Sequence, residues 1–376
     1  MLEAKNADRI GLLLSGGGAR AAYQVGVLRA ISELLPKNAS NPFHIISGTS
    51  AGALNAASLA CHAHRLRTGV KLLEHVWKNI SSDKVYTPQS GKLLGSASIM
   101  LFASMRTKDT DVPISLLDNS PLLHLLQRVL KLDKIQRNID RGLLDALSIT
   151  TSSYNTGESV SFYQGMKGLS DWQGPHRIGR SGTISYSHLM ASSALPVLFP
   201  AVKIDEQFYG DGAVRQLAPT STPIHLGATR LLVIGVSGNR SNSPAGNTNA
   251  AAPSILQILG HILNSAFVDT LENDLEFLRD MNDVLDQLPQ GVINSPKISA
   301  QKIELLEISP SKEINILAKQ FYDELPKQMA KNIKPDSSST LLSLILFEKG
   351  FCSVLWKMGY EDALSKESKI RHFFRN

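Results

Sequence analysis

Cysteine is nearly absent from this 376-residue chain: only Cys61 and Cys352 occur, far apart and outside any spaced Cys/His pattern. A disulfide-stapled scaffold is therefore excluded, no cysteine-ligated metal site is expected, and two reduced, buried thiols are the best reading. Long hydrophobic runs are missing as well. The longest nearly unbroken apolar stretches, Ala97 to Ala103 and Leu341 to Phe347, fall far short of the roughly 18 to 20 residues that span a bilayer. The first residues carry Glu3, Asp8 and Arg9, with neither a basic start nor a small-residue cleavage pattern, so no cleavable export signal is expected. Aromatic residues make up 6%, and no Lys/Arg-rich run interleaves with them, which argues against a nucleic-acid groove. What remains, 43% hydrophobic and 19% charged residues, is the composition of an ordinary globular protein. The length allows two or three domains, or one large core with appended elements. The 39 basic residues exceed the 33 acidic ones by six, a balance that favours anionic surfaces such as phospholipid headgroups or nucleic acid and does not by itself choose between them.

Ile10 to Leu14 is a short apolar run, followed by Gly16, Gly17 and Gly18 and then by Val25, Leu28, Ile31 and Leu35 at helical spacing up to Pro36. The pattern predicts strand, glycine turn, helix. Phe43 to Ile46, Gly48-Thr49-Ser50-Ala51-Gly52 and the small apolar segment Ala53 to Cys61 repeat that unit. Two such units in succession predict a parallel sheet with helices on its faces. Further strands are expected at Ala146 to Ser152, Ser159 to Tyr163, Val202 to Asp205, Leu231 to Val236 and Ile303 to Ile308. Helices are expected over Ile255 to Leu285 and Leu341 to Gly359, and Ser241 to Pro253, rich in Ser, Asn, Ala, Gly and Pro, is the clearest linker. The division expected is a catalytic unit over residues 8–240, a linker over 241–253 and a mostly helical region over 254–376 that docks on the core through the Ile303 to Ile308 strand.

Gly48-Thr49-Ser50-Ala51-Gly52 fits G-x-S-x-G, the pattern that sets a serine on a sharp strand-to-helix turn with its hydroxyl presented to substrate. Gly16, Gly18 and Ala21 also fit a dinucleotide-binding fingerprint, but the second strand ends in Ser47-Gly48-Thr49-Ser50 where that fold needs an acid. No G-K-S/T follows, so a phosphate-binding P-loop is excluded. The alternative is that Gly17 and Gly18 offer N–H groups to an oxyanion formed at Ser50. A base must accept the serine proton. None of the ten histidines lies in a recognisable context: His44 precedes the serine strand and His188 lies in a helical stretch. Asp211, between Gly210 and Gly212, is the better candidate, although Asp-Gly turns are common and the residues by themselves leave the matter even. As a base it would have to sit in a partly desolvated cleft that raises its proton affinity.

Taken together and in order, Gly16-Gly17-Gly18-Ala19-Arg20, Gly48-Thr49-Ser50-Ala51-Gly52, Ala191-Ser192-Ser193-Ala194-Leu195-Pro196-Val197-Leu198-Phe199-Pro200 and Asp211-Gly212-Ala213 resemble the signature blocks of the patatin-like phospholipases, bacterial members included. The resemblance covers about residues 8 to 237. It implies a three-layer α/β/α fold with a mainly parallel central sheet and a mostly helical C-terminal extension. It implies a Ser50 nucleophile with Asp211 as a dyad without histidine, an oxyanion loop of Gly16, Gly17, Gly18 and Arg20, an elbow bounded by Gly48 and Gly52, and an aspartate turn through Gly212 and Ala213. It also implies hydrolysis of fatty acyl esters of phospholipids or related lipids through an acyl-enzyme, with no cofactor and no metal. Acyl transfer by the same dyad and a silent lipid-binding module are the other readings. Arg20 either holds the glycine loop, meets a phosphate, or is an exposed helix arginine. Without an imidazole base, no limb near pH ~6.5 that is assignable to a histidine base is expected in the activity. Leu93 to Met105, flanked by Lys92, Arg106 and Lys108, suits an interfacial lid as well as a core helix, and the basic tail Lys369 to Arg375 is a weaker membrane-surface candidate. The location expected is cytoplasmic with peripheral membrane contact, delivery outside the cell by another route remaining open.

Overall fold

The computed structural model describes residues 8–88, 115–237, 255–289, 301–330, 333 and 339–375. The lid candidate within 92–108 and the 241–253 linker lie outside the described residues. Ile10–Leu14 (β1) is buried along its whole length, as an unbroken apolar run requires when helices cover both faces of a sheet. The strands that follow are Ile45–Thr49 (β2), Ala146–Ser153 (β3), Ser159–Gly165 (β4), Trp172–Gly174 (β5), Arg177–Ser181 (β6), Val202–Ile204 (β7), Gln207–Asp211 (β8), Arg230–Ile234 (β9) and Glu304–Ile308 (β10). They form one sheet in the order β10-β9-β1-β2-β3-β4-β6-β5, with β8 paired to β3 and β7 paired to β8. The five strands from β10 to β3 are parallel. Antiparallel pairs are confined to the β3–β4 hairpin, the β5–β6 pair and the short β7 and β8. The expected α/β architecture with a mainly parallel centre is the one observed.

Helices Ala22–Leu34 (α1), Ala51–Cys61 (α2), Leu66–Lys78 (α3), Ser120–Val129 (α4) and Tyr186–Ser192 (α5) come from the first two thirds of the chain. The last third supplies Ile255–Asn264 (α6), Thr270–Gln287 (α7), Ser339–Ile345 (α8) and Lys349–Ser365 (α9). Between α6 and α7 the helix continues through a π-helical turn, Ser265–Asp269. The single helix expected over Leu341 to Gly359 is instead two, α8 and α9, bent by 92°. Leu346 and Phe347 form the corner and are buried, with the Phe347 ring stacked on Trp77 at 6.1 Å, so packing sets the break. Among the described residues no single helix is long and apolar enough to cross a membrane. In the basic tail Ile370 and Phe373 are buried and Arg230 lies over the Phe373 ring, so these apolar side chains serve the core, while Lys369, His372 and Arg375 are exposed. Both cysteines are free and buried, and burial pushes the Cys61 thiol up to about 12.

The C-terminal third is joined to the sheet through β10 and to α1 through α9. Tyr23 on α1 donates a hydrogen bond to Asp362 on α9 at 3.0 Å. The two helices approach so closely that a Cβ on Gly26 would lie 1.9 Å from the Trp356 carbonyl oxygen, and one on Gly359 would lie 2.1 Å from that of Tyr23. Backbone cannot yield to such an overlap as a flexible side chain can. Gly26→Ala is expected to destabilise the protein by about 2 to 3 kcal/mol in denaturant unfolding, and a loss below about 0.5 kcal/mol would show that the α1–α9 contact is looser than described.

Candidate active site

Ser50 stands where β2 ends and α2 begins, with φ 54° and ψ −131°. A side chain is rarely held there, and the strain persists only because the surroundings enforce it. Its N–H donates to Ser192 Oγ at 2.9 Å, and that hydroxyl donates to the Thr150 carbonyl at 2.6 Å. Gly52 lets α2 start directly beneath β1, since a Cβ there would fall 2.3 Å from the Leu14 oxygen; Gly48 is crowded likewise by the backbone of Gly52 and Ala53.

Asp211 reaches the same place from the other direction. Residues Ala146 to Thr150 of β3 pair with β2, ending at Thr49 opposite Thr150. Thr151 to Ser153 pair with β8, with Asp211 opposite Thr151. The far edge of β3 is occupied throughout by β4, so β2 and β8 occupy one edge in succession and meet end to end. The serine turn and the aspartate turn are thereby made neighbours. Thr49 Oγ1 donates to Gln216 Oε1 at 2.7 Å and Gln216 Nε2 donates to Thr150 Oγ1 at 3.2 Å, tying the end of β2 and the middle of β3 to the segment that follows the aspartate turn. Gly212 presses on Thr150 and Thr49.

Asp211 has no solvent exposure. Its Oδ1 accepts the Ala213 N–H at 3.0 Å, its own N–H donates to the Ala194 carbonyl at 2.9 Å, and its carbonyl accepts Ser152 Oγ at 2.9 Å. Burial pushes the carboxyl up to about 7, opposed by the neighbouring Ser50 hydroxyl and the Ala213 N–H, and no cation enters the balance. Oδ2 accepts no fully formed hydrogen bond from the described residues, so it remains open to a proton.

The glycine loop completes the site. A Cβ on Gly16 would sit 3.0 Å from the Ser50 Cβ and 2.5 Å from the Phe267 ring, and one on Gly18, with φ 54°, would strike the Leu344 oxygen at 2.0 Å. The N–H groups of Gly16, Gly17 and Gly18 donate to no acceptor among the described residues, and they sit at the N-terminal end of α1, where the helix dipole adds positive potential. Arg20 is in the loop but buried, 2% exposed, which rules out the exposed helix arginine. Its Nε donates to Ser343 Oγ at 2.9 Å and its Nη2 to Asn315 Oδ1 at 2.7 Å, with Asn264 Oδ1 at 3.3 Å from both terminal nitrogens. The guanidinium therefore braces the loop against the C-terminal helices. From Ser50 and Gly18 an apolar pocket of about 740 Å³, open mouth included, runs between α2, α3 and α4, walled by Leu54, Leu73, Trp77, Leu126, Leu195 and Phe199. None of the ten histidines lines it. His188 accepts the Ser185 N–H in a helix cap, and His44 accepts that of Ile10. The residues that the sequence did not mark are Ser192 in its support of the Ser50 backbone, Gln216, Phe267 and the pocket walls.

A family model described as patatin-like phospholipase matches residues 12–224, more than half of the chain. The chain belongs to the patatin-like phospholipase family. It is 51% identical over 51 residues to lysophospholipase nte1 of Aspergillus terreus and 46% identical over 54 residues to lysophospholipase NTE1 of Chaetomium globosum. Each match covers 14% of this chain and 3% of the relative, so the chain spans only a small fraction of the length of these relatives. Among solved structures, VipD from Legionella pneumophila aligns over 96% of this chain and 67% of its own, at 14% identity and a TM-score of 0.35. Human GIVD cytosolic phospholipase A2 in complex with methyl gamma-linolenyl fluorophosphonate aligns over 100% and 60%, at 12% identity and a TM-score of 0.40. The fold assignment rests on the family match and on the sheet described above.

The raised proton affinity of Asp211 has a stability consequence of known sign. Between the ordinary carboxylate value of ~3.9 and about 7 the folded state binds the proton that the unfolded state releases, so this group makes stability fall as pH rises through that window. Asp211→Asn keeps an acceptor for Ala213 and abolishes the ionisation. At pH 8 it is expected to be more stable than the wild type by on the order of 2 to 4 kcal/mol, the gap narrowing toward pH 4; a gap independent of pH would contradict the assignment.

Proposed function

We propose that the chain is a serine lipid acyl hydrolase, of phospholipase A or lysophospholipase type, working through a Ser50–Asp211 dyad. The observation that carries this reading is a solvent-free carboxyl, tuned to about 7, beside a strained serine at the head of an apolar pocket. A general base works best when its proton affinity is near the working pH. An acyl chain lies in the pocket, and Oγ of Ser50 adds to the ester carbonyl as its proton passes to Asp211. The N–H groups of the glycine loop take up the negative oxygen, each such donor lowering the barrier by roughly 2.7 to 4 kcal/mol. Collapse expels the alcohol, which receives the proton from Asp211. Water then gives its proton to the same carboxylate and attacks the acyl-serine, releasing the fatty acid and restoring Ser50.

Contact with a lipid surface is part of the proposal. Val214 and Leu217, the latter 70% exposed, flank exposed Arg215 on the turn that follows Asp211. Two apolar side chains around a guanidinium suit the boundary between headgroups and acyl chains.

The pH profile follows from the carboxyl. Since the base must be ionised, kcat is expected to rise with pH through a midpoint near 7, a limb that resembles an imidazole's and comes from Asp211. Substitution separates the two. Ser50→Ala and Asp211→Asn are each expected to lower turnover of a lysophospholipid and a two-chain phospholipid by about a thousandfold or more, and Ser50→Ala to abolish fluorophosphonate labelling. The ten single His→Ala variants are expected to retain the rising limb; one as damaging as Ser50→Ala would overturn the dyad.

A further inference from the structure

Four buried groups outside the dyad form a directed hydrogen-bond chain from the pocket wall to the glycine loop. Trp77, which lines the pocket, donates its Nε1–H to Asn55 Oδ1 at 2.8 Å. Asn55 Nδ2 donates to Gln24 Oε1 at 3.0 Å and to the Ala21 carbonyl at 3.2 Å. Gln24 Nε2 donates to the Ser15 carbonyl at 2.8 Å and the Ile234 carbonyl at 3.3 Å. Gln24 and Asn55 have no solvent exposure and Trp77 has 4%. The direction of the chain is fixed at both ends, because an indole can only donate and a backbone carbonyl can only accept. Neither amide can turn over without leaving buried donors facing donors.

The last link bears on the reaction. A trans peptide is planar, so its C=O and N–H point in opposite directions. Fixing the Ser15 carbonyl on Gln24 therefore fixes the direction of the Gly16 N–H, and Gly16 lies against Ser50. The geometry points to Gln24, Asn55 and Trp77 as positioning residues for the oxyanion loop, acting through the Ser15–Gly16 peptide; this rests on the hydrolase reading above. The pocket wall and the loop are then one rigid unit, and the loop is set before substrate arrives.

The test compares kcat and KM on p-nitrophenyl butyrate, too short to reach far into the pocket, and p-nitrophenyl palmitate, long enough to run along its wall, together with the rate of fluorophosphonate labelling. Trp77→Phe keeps an aromatic wall, though a smaller one, and removes the donor at the head of the chain. It is expected to lower kcat about tenfold on both esters, with KM for the butyrate unchanged and labelling slowed in parallel. Asn55→Leu and Gln24→Met are expected to cost about ten- to a hundredfold; if either fails to fold, Trp77→Phe decides. A loss confined to the palmitate would make Trp77 a pocket residue only, and an undiminished kcat in the folded variants would remove the relay. A wild-type chain inert to both esters and to the probe would bring down the hydrolase reading, and the relay's role with it.

Discussion

One edge of β3 serves two strands in succession, and the whole site depends on that handover. β2 pairs with it up to Thr150 and then turns away at Ser50; β8 arrives from the opposite direction and pairs from Thr151 onward, ending at Asp211. Two strand ends that meet on one edge must bring their turns together, whatever the distance in sequence. Because the meeting point lies inside the layers of the fold, the carboxyl is stripped of water there. Burial without a cation raises its proton affinity, which brings its ionisation near neutral pH where an exposed aspartate would already have lost its proton.

A buried ionisable group and a serine at positive φ both work against stability, and the surrounding contacts hold them in place. Ser192 ties the Ser50 N–H to Thr150, and Gln216 ties Thr49 to the same residue. The glycine loop is held from the last third of the chain as well. Phe267 in the π-helical turn presses on Gly16, the Leu344 carbonyl leaves room only for glycine at Gly18, and Asn264, Asn315 and Ser343 hold Arg20. The C-terminal helices thus form the back of the glycine loop.

The parts legible in sequence are those whose signal is local. A buried parallel strand followed by a glycine turn is written in a few adjacent residues, so β1, the glycine loop, β2 and the Ser50 turn stand out, and Glu304–Ile308 was visible as a sheet strand. Asp211 was ambiguous by itself, because an Asp-Gly turn has the same appearance with or without a serine opposite; the order of four blocks separated the readings. The pocket was not legible, since α3 and α4 wall it from separate stretches of chain. Gln24 and Asn55 look like stray polar residues on apolar helices until their partners, Ser15, Ile234 and Trp77, are seen. The break between α8 and α9 was hidden because its corner residues are as apolar as a helix core, and only their packing on Trp77 reveals it.

The electrostatic state of one carboxyl decides the account. With aspartate labelled by carbon-13 at the side-chain carboxyl and the Asp211 signal assigned by its loss in Asp211→Asn, a pH titration by NMR reports the midpoint directly. A midpoint close to 7 is the expected result. A midpoint near the ordinary ~4 would mean that the carboxyl is solvated or paired, and that Ser50 has no base in this fold.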